Sequence, residues 1–288
     1  TPDAGEVGLE LAQLSLSRGT AGRGRGRRVT MAGFNVRSVL VTGANRGIGL
    51  ELVKQLLEKS NPPKWVFATC RDPEGERAQQ LKNLVSRHPN LVIVALEVTD
   101  PASIKAAAAR VEEHLKGSGL NLLINNAGII TLNTLESETP EDMSLVYTTN
   151  VTGPLLVSQA FLPLLKKAAQ GSQKGLSCSK AAIVNMSSEG GSIKNVFIWH
   201  VSQAIAYRCS KAALNMLTKC QSLGCGGDGI LSIAVHPGWV QTDMVRVVSH
   251  EPPLRVDASV RGILNVLPTL SEKDNGAFVD WEGKVLPW

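Results

Sequence analysis

The chain has 288 residues, 43% of them hydrophobic and 19% charged, which excludes a disordered polypeptide and allows a sizeable core. Its 30 Lys and Arg outnumber 25 Asp and Glu for a formal charge of +5. No apolar run reaches the ~18–20 residues that a membrane-spanning helix needs, so a membrane partner is not expected.

The chain opens on a basic stretch. Residues 1–30 carry Arg18, Arg23, Arg25, Arg27 and Arg28 against Asp3, Glu6 and Glu10, and Gly19 to Arg28 holds no large apolar side chain. Such a composition cannot offset the entropy of ordering, so a disordered extension ahead of Met31 is expected. Five arginines without interleaved aromatics are a poor nucleic-acid footprint, and no nucleic-acid partner is expected.

From Val36 onward, short apolar runs alternate with amphipathic stretches. Ser38–Thr42 reads as a strand, and Gly47–Lys59 as a helix with Ile48, Leu52, Val53, Leu56 and Leu57 on one face. Lys64–Thr69 is the second strand and Glu74–Arg87 a helix; Leu91–Leu96 is the third strand, and Pro101–Lys116 a helix with proline in its first turn. Leu120–Ile124 is strand four, Thr139–Ala169 one long helix, and Ala181–Met186 strand five. Ala206–Leu223 (helix), Gly229–Val235 (strand), Asp257–Leu270 (helix) and Ala277–Val279 (strand) complete the order. Strands apolar on both faces and separated by helices predict a single α/β domain over residues 31–288, a doubly wound parallel sheet. Its ligands belong outside the carboxyl ends of the strands.

The cysteines, Cys70, Cys178, Cys209, Cys220 and Cys225, are odd in number and form no CxxC pair. Neither a disulfide framework nor a structural zinc site is expected, and reduced thiols in the cytoplasm are the default. The five histidines lie far apart and read as packing or surface residues, so no metal site is predicted.

Strand one runs into Thr42-Gly43-Ala44-Asn45-Arg46-Gly47-Ile48-Gly49, which opens a helix. Glycines there let the backbone approach a pyrophosphate resting on the helix N-terminus. Further motifs follow in order. Asn125-Asn126-Ala127-Gly128 ends strand four, Asn150-Val151-Thr152-Gly153 lies in the long helix, and Ser187-Ser188 follows strand five. Tyr207 and Lys211 form a YxxxK pair, and Pro237-Gly238, with Thr242 beyond, follows strand six. Together these resemble the short-chain dehydrogenase/reductase family over Val36 to about Thr242. The C-terminal sequence GAFVDWEGKVLPW resembles its carbonyl-reductase, sniffer and C-factor branch.

That resemblance implies a Rossmann fold and reduction of an aldehyde, ketone or quinone by hydride transfer. A tyrosine with a free pKa near ~10 is a poor proton partner at neutral pH unless its phenolate is stabilised. Lys211 lies one helical turn past Tyr207, on the same face, where a cation favours the phenolate. The resemblance makes Tyr207 the general acid and Lys211 also a holder of the nicotinamide ribose. It gives Ser188, rather than Ser187, the substrate oxygen, and it gives Asn150 a water in a proton relay. It places Gly43, Asn45, Arg46, Gly47, Ile48, Gly49, Asn126, Ala127, Gly128, Pro237, Gly238 and Thr242 on the dinucleotide. Cys209 and Ser210, between the pair, read as packing residues.

The cofactor's identity turns on charge. Strand two ends Ala68-Thr69-Cys70-Arg71 with no carboxylate ahead of Arg71, and Arg46 lies within the glycine turn. Two guanidiniums suit a 2′-phosphate, so NADPH is expected; Asp72, one residue on, is the acid that NAD would use. Glu97 and Val98 should flank the adenine, Glu97 standing where the family commonly has Asp. Substrate walls should come from Ser188–Ala206, with Phe197, Ile198 and Trp199, and from the segment after Thr242. The family often pairs through the two helices spanning 139–169 and 206–223, yet its carbonyl reductases can be monomers, so the resemblance leaves monomer, homodimer and homotetramer open. A nucleotide-binding redox sensor with little turnover is the competing reading, which loss of Tyr207 or Lys211 would have favoured.

Overall fold

Seven strands line up in the order β3-β2-β1-β4-β5-β6-β7, every neighbouring pair parallel. They are β1 (Ser38–Val41), β2 (Trp65–Cys70), β3 (Leu91–Ala95), β4 (Leu122–Asn125), β5 (Ala182–Met186), β6 (Leu231–His236) and β7 (Phe278–Asp280). The computed structural model describes residues 35–171, 175–244 and 252–288, all in one compact unit. Residues 1–34, 172–174 and 245–251, and with them the extension expected over 1–30, lie outside the described residues. Among the described residues, no helix is long and apolar enough to cross a membrane, and no three His, Cys, Asp or Glu side chains could hold a metal ion.

Alternation along each strand sends side chains to two separate cores. Val39, Val41, Val66, Ala68, Leu122 and Ile124 pack under α1 (Gly47–Leu57), α2 (Gln79–Val85) and α7 (Val256–Val266). Leu40, Phe67, Leu123 and Ile183 face the other way, onto α3 (Pro101–Leu115) and α5 (Gly153–Gln170). Each fully buried Leu, Val or Phe contributes about 1.5–3 kcal/mol of hydrophobic stabilisation, so both helix layers are held firmly against the sheet. This second face also carries a polar layer. Asn125 donates to Asn185 and Ser158; Asn185 donates to Thr218 and Gln221 of α6 (Ile205–Cys225), and Gln221 returns to Ser158.

Three helices differ from the sequence reading, each for a local reason. The long helix expected over Thr139–Ala169 is α4 (Pro140–Tyr147), a π-helical turn at Thr148–Thr152, and then α5. Pro154 lacks the N–H that would bond the carbonyl of residue 150, and its ring crowds that carbonyl, so the turn widens there. The helix expected over Asp257–Leu270 closes as α7 followed by a 3₁₀ turn at Leu267–Thr269, because Pro268 does the same to Leu264. The expected Glu74–Arg87 helix begins late: the Asp72 carboxylate accepts from the amides of Glu74 and Gly75, and a 3₁₀ turn precedes α2.

The sheet order reverses between β1 and β4, and their loops diverge there to leave a crevice. The residues assigned to chemistry from the sequence follow the carboxyl ends of β1 to β6, sit on α6, or, for Asn150, lie in the π-helical turn between α4 and α5.

Candidate active site

A cleft of about 830 Å³ opens along the carboxyl ends of the strands. Its floor at one end is the glycine turn. Gly43 and Gly47 have φ of +62° and +52°, and a Cβ on Gly43 would meet the Ala127 backbone. Only glycine makes that approach without strain. Arg46, the residue capping α1, makes no side-chain cap, and the first turn of α1 carries no acid. The amides at this N-terminus are left for an anion such as a phosphate.

The NNAG loop braces this turn. Asn126 donates to the carbonyls of Thr42 and Gly43 at 2.9 and 3.2 Å, and the Thr42 hydroxyl accepts from the amides of Asn126 and Ala127. Asn126 therefore shapes the turn as well as lining the cleft, and Gly49 packs beneath it, outside the cleft wall. Asn45, Arg46, Gly47, Ile48, Val98, Ala127, Gly128, Pro237, Gly238 and Thr242, which the sequence reading put on the dinucleotide, all line the cleft.

At the adenosine end, Arg46 and Arg71 both border the cleft. Arg71 is 75% exposed and stands 3.6 Å from Glu97, not against Asp72. The other Glu97 oxygen accepts from the Thr99 amide and hydroxyl, so this carboxylate is engaged by the protein and turned toward Arg71. Asp72 spends one carboxylate oxygen on two backbone amides, which leaves it poorly placed to serve a ribose hydroxyl. Arg77, from the 3₁₀ turn before α2, lines the same end; its distance from the glycine turn in sequence hid it.

The reacting end is built by β5 and α6. Both Ser187 and Ser188 border the cleft, but the Ser187 hydroxyl is turned to Asn215 at 2.6 Å, whereas the Ser188 hydroxyl stands beside that of Tyr207 and favours its phenolate. Ser188 also accepts from the Gly190 amide at 3.1 Å, which fixes its rotamer. Lys211 is buried, donates to the Met186 carbonyl at 2.8 Å, and sits 5.5 Å from the Tyr207 ring centre. Of its three N–H groups, one is spent on Met186 and two remain for other acceptors.

Asn150 lies behind the cleft wall. It accepts from the Ile129 amide and donates to the Ile129 carbonyl and the Ser210 hydroxyl. A Cβ on Gly128 would lie 3.2 Å from Asn150 Oδ1, a tight approach, and 3.8 Å from Lys211 Nζ, an ordinary contact, so Gly128 has both groups as neighbours. Ser210 is thus a tie between α6 and the π-helical turn rather than mere packing, and Cys209 is exposed rather than packed.

The electrostatics depart from the sequence reading. Burial pushes the Tyr207 phenol up; the Ser188 hydrogen bond and the Arg208 charge pull it down, and Lys211 is not the group that sets it. Burial lowers Lys211 itself to about 8. His236, expected to be an ordinary packing or surface residue, borders the cleft 3.7 Å from Glu189, and burial lowers it to about 4, so it is neutral at physiological pH. Trp199 also departs from expectation: Phe197 and Ile198 line the cleft, while Trp199 lies under the Arg208 guanidinium.

The Lys211 pKa has a stability consequence. Its folded value of about 8 lies below the ordinary 10.5, so holding the cation in the empty cleft costs stability below pH 8. That cost fades as pH rises from 8 to 10.5. Lys211→Met should therefore stabilise the empty protein at pH 7 by on the order of 1–2 kcal/mol, the lost bond to Met186 offsetting part of the gain. Thermal melts between pH 7 and 10 check this; a variant less stable than the parent at pH 7, by an amount independent of pH, would refute it.

The fold recurs in known proteins. The NADPH-bound carbonyl reductase from chicken fatty liver is 67% identical, with a TM-score of 0.85 over 88% of this chain and 100% of that one. Carbonyl reductase Sniffer of Drosophila melanogaster is 38% identical, with a TM-score of 0.82 over the same shares. The C-signal of Myxococcus xanthus is 35% identical over 170 residues, 59% of this chain and 93% of that one. The family described as short chain dehydrogenase matches residues 37–253, spanning the glycine turn, the paired serines and the YxxxK helix. This chain belongs to the short-chain dehydrogenase family.

Proposed function

We propose that the protein is an NADPH-dependent reductase of small-molecule carbonyl compounds, aldehydes, ketones or quinones. The observation that carries this reading is the Ser188–Tyr207 hydroxyl pair, set against buried Lys211 in a cleft whose far end is the glycine turn. The likeness to the NADPH-bound carbonyl reductase from chicken fatty liver supports it.

When bound, the dinucleotide supplies a hydride to the carbonyl carbon. The amides of the glycine turn and the start of α1 hold its phosphates, and Arg46 and Arg71 hold the 2′-phosphate. Ser188 donates to the substrate oxygen and fixes the carbonyl beside Tyr207. As negative charge develops on that oxygen, Tyr207 gives up its proton. Burial keeps the phenol protonated beforehand, which suits an acid. Ser188 and the Arg208 charge then favour the phenolate left behind, and Lys211 would hold the ribose with its remaining N–H groups. One lone pair on Asn150 Oδ1 is uncommitted, and it is the place for the water through which the site regains its proton.

The reading is tested by following NADPH oxidation with a panel of aldehydes, diketones and quinones. Substrate-dependent turnover is expected, with NADH a poor replacement. Tight NADPH binding without turnover on any of them would favour a nucleotide sensor instead.

A further inference from the structure

Between β5 and α6 the chain makes a strained detour. Val196, Ile198 and Ala204 have φ of +40°, +48° and +42°, three of the four non-glycine residues with positive φ among the described residues. For β-branched Val and Ile this is a genuine outlier, and such strain persists only where the surroundings over-determine it. The detour carries Phe197 and Ile198 into the cleft, where Phe197 meets Trp239 edge-to-face at 6.4 Å. The two loops that bound the substrate space therefore close on each other at that pair.

One side chain holds the detour. Arg208 donates from Nη2 to the carbonyls of Phe197 (2.7 Å) and Ser202 (2.9 Å), and from Nε to that of Gln203 (2.7 Å). Its guanidinium lies 5.8 Å from the centre of the Trp199 ring. Its Nη1 is buried without a partner among the described residues, a loss of hydration that the other contacts must outweigh. A flat fork with several fixed donors gathers three carbonyls; a lysine ammonium lacks that geometry.

We propose that Arg208 is a positioning residue for substrate selection: its guanidinium latches the Phe197–Gln203 segment in a strained conformation that presents Phe197 and Ile198 to the reacting end of the cleft. The residue next to Tyr207 thus hangs the substrate wall on the same helix that carries the proton donor. This rests on the proposed carbonyl reduction for its kinetic test, though not for its structural one.

The experiment compares Arg208→Leu and Arg208→Lys with the parent in two ways. Chymotrypsin, which cuts after Phe and Trp, is applied to the NADPH-bound protein, and cleavage at Phe197 and Trp199 is followed by mass spectrometry. kcat and KM are measured with a bulky aromatic quinone and with a short aliphatic aldehyde. Both variants should be cut at these sites at least about tenfold faster. kcat/KM for the quinone should fall at least about tenfold further than for the aldehyde, chiefly through KM. In a Phe197→Ala background the Arg208→Leu change should add little to that selectivity loss, because the latch acts through the wall.

Unchanged protection of Phe197 and Trp199 would overturn the proposal, whether or not any carbonyl is reduced. So would an equal fall in kcat for both substrates, which would mean that Arg208 acts on Tyr207 by charge alone. If no carbonyl is turned over while cleavage accelerates, the latch stands and the proposed reaction fails.

Discussion

Tyr207→Phe is expected to lower carbonyl turnover by ~10²–10⁴-fold, the range for removing a positioned general acid, while NADPH still binds. The substitution keeps the ring that packs 5.5 Å from Lys211 Nζ and removes only the hydroxyl that stands beside Ser188. The effect should fall on kcat, because the lost proton transfer belongs to the transition state rather than to substrate binding. Ser188→Ala should act in the same direction but less, since the proton donor Tyr207 survives. Steady-state rates paired with NADPH titration by fluorescence separate the two terms. Near-normal reduction by the phenylalanine variant would remove Tyr207 from the mechanism.

Replacing Arg46 and Arg71 together by Ala should weaken NADPH binding by two or more decades while leaving the weaker NADH affinity nearly as it was. Charge-assisted bonds of ~1.5–3 kcal/mol each set the scale, at its lower end here because both side chains are exposed. The two arginines need not contribute equally. Arg71 already leans on Glu97 at 3.6 Å and must trade that contact for phosphate, whereas Arg46 has no ion pair with a described residue. Arg77 borders the same end of the cleft and should retain part of the preference, so adding Arg77→Ala should lower NADPH affinity further. Dissociation constants for both dinucleotides decide the matter. Equal affinity for NADPH and NADH in the intact protein would show that these arginines do not read a phosphate.

How much of this was legible beforehand depends on the distance over which each residue acts. Strand positions followed from continuous apolar runs such as Ser38–Val41, and the glycine turn from its place between strand and helix. The YxxxK pair was legible for a similar reason: one helical turn guarantees a shared face. The π-helical turn was not, since periodicity reports a helix but not its pitch; the Gly153-Pro154 step was the signal available. Arg77 and Arg208 were missed because their partners are set by the folded path of loops. His236 reaches the cleft only because β6 ends at its rim, opposite Glu189. The pull on Tyr207 was misjudged because proximity of a cation is visible in sequence, whereas burial, the larger effect here, is not.

The layer formed by Asn125, Asn185, Ser158, Thr218 and Gln221 bears on how the chain finds its pairing. Parallel neighbours rich in Val, Ile and Leu are nearly interchangeable if one strand slides along another, so hydrophobicity alone aligns them poorly. Asn125 stands directly opposite Asn185 in the β4–β5 ladder and donates to it at 2.9 Å. A slip of one residue would turn either amide into the apolar layer beneath α1 and α7, where it would find no acceptor. Misaligned pairings are thus penalised one by one during assembly, and the alignment that survives is the one that brings Ser188 up beside Tyr207.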